Sequence, residues 1–306
     1  MKPICSVVIP SYNRRELLSH TLGSLTKQTL PRDRFEVLVV DDGSSDDTAG
    51  MVKTFEDRLN IRYFYREDEG YTATRARNVG IVNADADITV LMDSGVLAHS
   101  GLLNAHLESH RTAPADPPLA VCGYAFGYDF GDDDARRIRE AVDLDDIDGT
   151  IRDFAENNRW PDVREVFYAK YGDDIAGVAA PWMNFWTLNV SARTDQLRRI
   201  GMFDEEFTSW GGEDIDIGYR LYIDGAKIIL NREAVAIHYP HDKSMSANND
   251  AADANYKRMV AKYGTPIIRL LLHVPNVNFY NINDVIAKHD LPSCLDYLAQ
   301  RKRVAG

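Results

Sequence analysis

Three cysteines in 306 residues, Cys5, Cys122 and Cys294, are too few and too scattered for a disulfide scaffold, and no Cys-x-x-Cys pair is present. Cys5 and Cys122 lie in apolar runs that read as buried strands, where a thiol is a small core residue. No apolar run approaches the ~20 residues that a membrane span requires. Met1-Lys2-Pro3-Ile4-Cys5-Ser6 leads straight into a strand without a signal peptide's apolar region and cleavage site, so the expected compartment is the cytoplasm. Asn189-Val190-Ser191 fits a glycosylation acceptor pattern that carries no meaning there. Cations are also short: 35 Lys and Arg face 47 Asp and Glu, a net charge of −12. Nucleic-acid and anionic-lipid surfaces both need clustered cations, and this balance argues against either. Gly-x-Gly-x-x-Gly is absent, which argues against an NAD-dependent dehydrogenase. After the first strand, where a sugar-1-phosphate nucleotidylyltransferase would carry a Gly-rich basic loop, stands Pro10-Ser11-Tyr12-Asn13.

What is present is an α/β rhythm, with 44% hydrophobic residues to build its core. Ser6–Pro10, Phe35–Val40, Ile61–Tyr65, Ile88–Met92 and Leu119–Tyr124 read as strands. Helices are expected over 14–28, 48–59, 72–83 and 100–112. Residues 129–174 are rich in Asp and Glu, amphipathic and helical, and read as an insertion on the core. A strand at 186–190, a helix at 213–224 and a strand at 226–239 resume the rhythm, and helices follow from about 253 to 302. Four regions result: 1–128, 129–178, 179–243 and 244–306. Polar residues stand where strands end, the place where open α/β sheets bind ligands.

Asp41-Asp42-Gly43-Ser44-Ser45-Asp46-Asp47-Thr48 follows a buried strand. A carboxylate there accepts a uracil N3–H or binds ribose hydroxyls; equally, Ser45 or Asp46 would serve as the cap of the next helix. Coupled to Pro10-Ser11-Tyr12-Asn13-Arg14 at the previous strand end, the ligand reading gains, with Tyr12 placed to stack on a base.

Val8-Ile9-Pro10-Ser11-Tyr12-Asn13 followed by Val39-Val40-Asp41-Asp42-Gly43-Ser44 resembles the start of glycosyltransferase family 2 and its relatives with the GT-A fold. Ala76-Arg77-Asn78-Val79-Gly80, Gly201-Met202-Phe203-Asp204-Glu205-Glu206-Phe207, Trp210-Gly211-Gly212-Glu213-Asp214 and Tyr219-Arg220-Leu221 continue the likeness in the family's order, over about residues 4–241. The resemblance implies a Rossmann-like mixed sheet flanked by helices, with 1–128 as the nucleotide-sugar half and 179–243 as the acceptor and catalytic half. It also implies inverting transfer of a hexose from a nucleoside diphosphate sugar, with UDP-glucose or a close relative preferred. Asp214 matches the carboxylate that takes the acceptor's proton, and Glu213 would orient hydroxyls. Pro10, Tyr12, Arg14, Asp42, Arg75, Arg77, Asp93 and Ser94 are the donor-side candidates. Asp216, in the same helix but facing another way, reads as structural.

The leaving diphosphate needs its charge neutralised. Where relatives carry Asp-x-Asp or Asp-x-His, this chain has Asp93-Ser94-Gly95, so glycine replaces the second acid. In one reading Asp93 and His238 share Mg²⁺ or Mn²⁺ with the diphosphate. In the other, Arg75, Arg77 or Lys243 supplies the charge without metal, and His238 and His241 are solvated loop residues. Ala180-Pro181-Trp182-Met183-Asn184-Phe185-Trp186 is unusually aromatic, and Trp182 and Trp186 are candidates for acceptor contact beside core packing. Gly211 and Gly212 would let backbone approach a sugar, and Trp210 would belong to a loop closing over the donor. The acidic insertion is either a solvated face or an attraction for a cationic amino-sugar or aminocyclitol acceptor. The C-terminal helices either bury an interface of a homo-oligomer or brace the core. The competing functional class is a non-catalytic sugar-nucleotide-binding protein with a decayed Asp-x-Asp, a reading that rests on Gly95.

Overall fold

The computed structural model describes residues 2–114, 116–128, 131–241 and 245–305. The first part runs β1 (Cys5–Ser11), α1 (Arg15–Leu25), β2 (Phe35–Asp41), α2 (Thr48–Lys53), β3 (Ile61–Tyr65), α3 (Ala73–Asn83), β4 (Ile88–Met92), β5 (Val96–Ala98), α4 (Leu102–Thr112) and β6 (Leu119–Phe126). Helices α5 (Asp132–Ala141), α6 (Ile147–Glu156) and α7 (Glu165–Tyr171) follow, then two 3-10 turns at Ile175–Gly177 and Pro181–Asn184. The chain continues through β7 (Asn189–Arg193), α8 (Thr194–Arg199), α9 (Glu213–Ile223) and β8 (Lys227–His238). It ends in α10 (Met245–Tyr263), α11 (Pro266–Arg269), a 3-10 turn at Leu270–His273, α12 (Ile282–Lys288) and α13 (Cys294–Ala305).

The eight strands of the described residues form one mixed sheet in the order β3-β2-β1-β4-β7-β6-β8-β5. β3, β2, β1 and β4 are parallel; β7 lies antiparallel between β4 and β6. Val8, Leu38 and Leu91 face one apolar cluster while Val7, Ile9, Val37, Val39, Val90 and Met92 face another. Alternate residues of a strand point to opposite faces, so these strands are covered on both sides, which explains their unbroken apolar runs. The parallel register brings Ser11 opposite Asp41, and β4 ends just before Asp93. The polar strand ends therefore gather along one edge of the sheet.

Two expected elements differ, and one strand was not expected. The helix expected over 48–59 stops at Lys53, because Thr54, Phe55 and Glu56 donate to the carbonyls three residues back and tighten the chain into turns. The strand expected at 186–190 starts only at Asn189, since Pro181–Asn184 winds into a 3-10 turn and the Trp186 indole N–H donates back to Met183 O at 2.9 Å. β5, unforeseen, has three residues and pairs with the end of β8, Val96 opposite His238.

Ile138, Ile147, Ile151, Phe154, Phe167 and Tyr168 of the acidic stretch are buried in the same apolar cluster as Val190 and Ile217. Within that stretch, Arg164 is ion-paired to Asp162 at 2.6 Å, both fully buried, and donates to Asn184 O and Gly123 O. All three cysteines are free and buried. Among the described residues no helix is long and apolar enough to cross a membrane.

Candidate active site

α9 begins on two glycines in the left-handed region, Gly211 and Gly212, both at φ +93°, where a side chain would be strained. Glu213 and Asp214 thus stand in the first turn, at the positive end of the helix dipole. Asp214 accepts from the Thr187 hydroxyl at 2.5 Å on Oδ1 and from the Thr187 backbone N–H at 3.2 Å on Oδ2. Glu213 is buried; its Oε1 accepts from the Tyr71 hydroxyl at 3.2 Å, and its Oε2 has no hydrogen-bond partner among the described residues. Burial, then the charge of Asp214, pushes the Glu213 carboxyl up to about 7. Asp214 is also raised, by burial above all; Arg77 and the Thr187 bonds pull it back.

Arg77, buried on α3, joins this pair to the end of β4. Its Nη2 donates to Asp93 Oδ1 at 2.9 Å, and its Nη1 lies 4.0 Å from Glu213 Oε1. The expectation that Arg77 faces the diphosphate is altered: its guanidinium is surrounded by Asp93, Asp214 and Glu213, and their charges hold it protonated. Arg75 is likewise engaged, at 2.6 Å from Glu69 and 3.6 Å from Glu205.

Among the expected donor residues, Asp42 is buried and accepts from Thr72 Oγ1 at 2.7 and 2.8 Å and from Arg66. Tyr12 is exposed, its hydroxyl donating to Asp68 at 2.9 Å. The capping alternative for Ser45 and Asp46 does not describe α2. Asp47 holds the N-cap without a side-chain bond, Ser45 binds Asn13, and Asp46 accepts from the backbone N–H of Arg15 in α1. Arg14 Nη1 lies 2.9 Å from His241 Nε2, linking the ends of β1 and β8. Lys243 lies outside the described residues.

Ser94 donates its hydroxyl to Pro10 O at 2.8 Å, which fastens β4's end to β1. Gly95 stands at φ +100°, its N–H donating to Thr21 Oγ1 and its carbonyl accepting from Tyr239 N–H, each at 2.8 Å. A Cβ there would face Leu17 and the Tyr239 carbonyl at 3.7 Å, so glycine answers a backbone requirement. His238 is buried, with its ring 4.9 Å from Tyr128 and 5.4 Å from His241. Among the described residues no group of three or more His, Cys, Asp or Glu is arranged to hold a metal ion. Of the two expected ligands, Asp93 has one oxygen engaged by Arg77 and His238 closes β8, so a cation here would rest mainly on diphosphate oxygens and water, not on a protein cage.

The aromatic candidates separate. Trp182 is fully buried, edge-on to Tyr219 at 5.3 Å, and is a core residue; its expected acceptor contact is corrected, because no face of it is exposed. Trp186 is half-buried beside Tyr128 and Phe279. Trp210 is exposed, but Asn255 of α10 donates to Ser209 O at 3.0 Å and Gly211 O at 2.7 Å, strapping the loop on both sides. The expected approach of a sugar at Gly211 and Gly212 is also revised. A Cβ at Gly211 would meet Ala252 Cβ at 2.9 Å, and one at Gly212 would meet Asn255 Cβ at 3.3 Å, so α10 takes that space. Asp216, fully buried, binds Arg220, Lys262 and Tyr263 and ties α9 to α10, the structural part expected of it. A hollow of about 640 Å³ lined by Pro266, Arg269, Leu270, Val277, His289 and Tyr297 belongs entirely to the C-terminal helices, away from these acids. Thr187, Tyr71 and Asn255 were missed from sequence; each is an ordinary polar or aromatic residue in a loop or helix, identified only by what it touches.

The model of glycosyl transferase family 2 matches residues 6–169, and that of the N-terminal domain of galactosyltransferase matches residues 174–242. A validoxylamine A glucosyltransferase of Streptomyces hygroscopicus subsp. jinggangensis (strain 5008) is 38% identical over 274 residues, 90% of this chain and 64% of that protein. The chain therefore spans just under two thirds of that relative's length. The uncharacterized glycosyltransferase YfnE of Bacillus subtilis (strain 168) is 31% identical, over 84% of this chain and 70% of its own length. Among solved structures, S. aureus TarS 1-349 in complex with UDP-GlcNAc superposes with a TM-score of 0.59 at 17% identity, over 93% of this chain and 70% of that one. The mannosyltransferase PcManGT from Pyrobaculum calidifontis, in complex with GDP-Man and Mn2+, gives 0.62 at 19% identity, over 100% and 81%. These likenesses place the mixed sheet among GT-A folds. With two family models following one another along residues 6–242, this chain belongs to glycosyl transferase family 2.

Proposed function

We propose that this chain is an inverting hexosyltransferase that moves a hexose from a nucleoside diphosphate sugar, UDP-glucose or a close relative, to a hydroxyl of a small-molecule or saccharide acceptor. The observation that carries the reading is the placement of Asp214. It sits at a helix N-terminus, held on both oxygens by Thr187, and is joined through Arg77 to Asp93 at the donor end of the sheet. Asp214 takes the proton of the acceptor hydroxyl as its oxygen attacks the anomeric carbon and the nucleoside diphosphate departs from the opposite face; one displacement inverts the centre. Thr187 fixes the direction of the base. Glu213, with one oxygen unpartnered, receives a hydroxyl of acceptor or donor. Tyr12 and Asp42 take the base and ribose, and Arg14 with His241 faces the diphosphate. A divalent cation, Mg²⁺ or Mn²⁺, would be held by Asp93 and His238 and would supply charge neutralisation for the leaving group.

The acceptor class is an amine-bearing cyclitol or amino-sugar. The name of the Streptomyces relative supports it, as does the net charge of −12, which draws a cationic acceptor towards the protein. The test is UDP release from UDP-glucose with validoxylamine A, with and without Mn²⁺, across salt. Asp214→Asn should lower transfer by about 10³-fold, while Asp133→Asn, at an exposed position of α5, leaves it unchanged. Equal rates in Asp214→Asn and wild type would remove Asp214 from the chemistry. No release with any donor would favour a sugar-nucleotide-binding protein.

A further inference from the structure

Both matched family regions end by residue 242, and the described residues beyond them return to the neighbourhood of the base, where Asn255 donates to Gly211 O. From that extension Phe279 sets its ring 5.0 Å from the Trp186 indole, at 84°. Tyr128, just after β6, lies 5.3 Å from the same indole. Trp186 is itself held in place: its N–H donates to Met183 O at 2.9 Å, and the buried Arg164 guanidinium lies 5.0 Å from its ring centre. The next residue in the chain is Thr187, which binds both oxygens of Asp214. Three half-buried rings from three separate segments thus converge one residue away from the group that orients the base.

We infer that Phe279, Trp186 and Tyr128 form the acceptor subsite, an apolar wall that takes the C–H face of a six-membered polyol ring carrying an amine. This rests on the reading of Asp214 as the base. Aromatic faces match the C–H faces of such rings and attract an ammonium group. A phosphate-bearing acceptor would need a cation at this wall. The guanidinium beside it, Arg164, is buried and engaged with Asp162 and two backbone carbonyls. The wall is assembled only when the C-terminal extension packs against the core, so the part of the chain outside both family regions selects the acceptor.

Calorimetric titration of the full chain with validoxylamine A in the presence of UDP tests the subsite without requiring turnover. Phe279→Ala should weaken binding about fivefold or more, in line with the worth of one aromatic contact. Phe279→Tyr should restore the affinity, and Phe279→Leu, which keeps apolar bulk but not a flat face, should not. Leu272→Ala, at an exposed position of the same extension, controls for indirect effects, and the thermal midpoint of each variant reports folding. Should Phe279→Ala fail to fold, the Tyr and Leu variants still decide. The subsite is overturned if Leu restores affinity as well as Tyr, if Ala binds like wild type, or if wild type does not bind the probe at millimolar concentration. Binding that depends on Phe279 without any transfer would sink the enzymatic reading and leave the subsite standing. Transfer that is indifferent to Phe279 would do the reverse.

Discussion

At the ends of β2 and β4 the carboxylates of Asp42 and Asp93 each meet a guanidinium at hydrogen-bonding distance, whereas at the start of α9 Asp214 accepts from the hydroxyl and N–H of Thr187. Glu213, next to it, has a tyrosine hydroxyl on one oxygen and no partner among the described residues on the other, with Arg77 at 4.0 Å. On the proposed reading the difference is one of task. Acids that shape a nucleotide site serve as fixed acceptors and can be locked by arginine. An acid that must take up a proton cannot be locked in this way, because a tight ion pair lowers its basicity. After burial, the charge of Asp214 raises Glu213 and that of Asp93 raises Asp214, while Arg77 pulls both back. Arg77 stands between the two sets and touches both, so it is where the contrast can be tested hardest.

Arg77→Ala should have the largest effect. It leaves Asp93 and the buried Glu213 without their shared cation, and loss of one partner from a buried charge cluster costs about 3 kcal/mol, read by denaturant unfolding. Survival of full stability would show that the two sets are not coupled through this residue. Glu213→Gln should come next, through pH. The folded-state value of about 7 lies above the ordinary 4.5, so between these values the folded chain binds more protons than the unfolded one, and stability falls as pH rises through that window. Glutamine removes this slope, and its advantage over wild type should grow to roughly 3 kcal/mol by pH 8. Parallel stability curves for the two chains would contradict the raised Glu213.

Thr187→Val should act on activity more than on stability. Its hydroxyl holds the Asp214 pKa down, so its removal moves the acid limb of the rate profile to higher pH and lowers transfer at neutral pH about tenfold. Thr187→Ser should restore both. A fall in rate with an unmoved limb would make Thr187 a packing residue. The smallest effect is expected from Gly95→Asp, which restores the Asp-x-Asp pattern on paper. With φ at +100° the variant should lose about 1 kcal/mol, and activity should gain no Mn²⁺ dependence over wild type. A tighter Mn²⁺ response would mean that the turn adjusts and that glycine marks a lost ligand.

Much of the scaffold was legible in the chain. The unbroken runs Ser6–Ile9, Val37–Val40 and Ile88–Met92 became the central strands, and the polar residues after them became the site edge. Glu213 and Asp214 were recognisable from two glycines followed by acids at a helix start. Failures came where one pattern has two outcomes. Trp182 and Trp186 stand four residues apart in one aromatic run, yet one is sealed against Tyr219 and the other reaches Tyr128 and Phe279. Gly211 and Gly212 look like room for a sugar, but α10 occupies that room.

By itself the sequence determined the alternation of strands and helices, the acids at the strand ends and the helix start, and the glycine turns, because each depends on neighbours a few residues away. The tertiary structure alone decided which acids are paired and which are left open. Tyr71 reaches Glu213 across 142 residues, and Arg14 reaches His241 across 227. Such contacts form between surfaces brought together by burial of the core, and no local periodicity records them. Proton affinity at this site depends on those contacts and on the water they exclude, so the readiness of Glu213 and Asp214 to accept a proton belongs to the folded molecule.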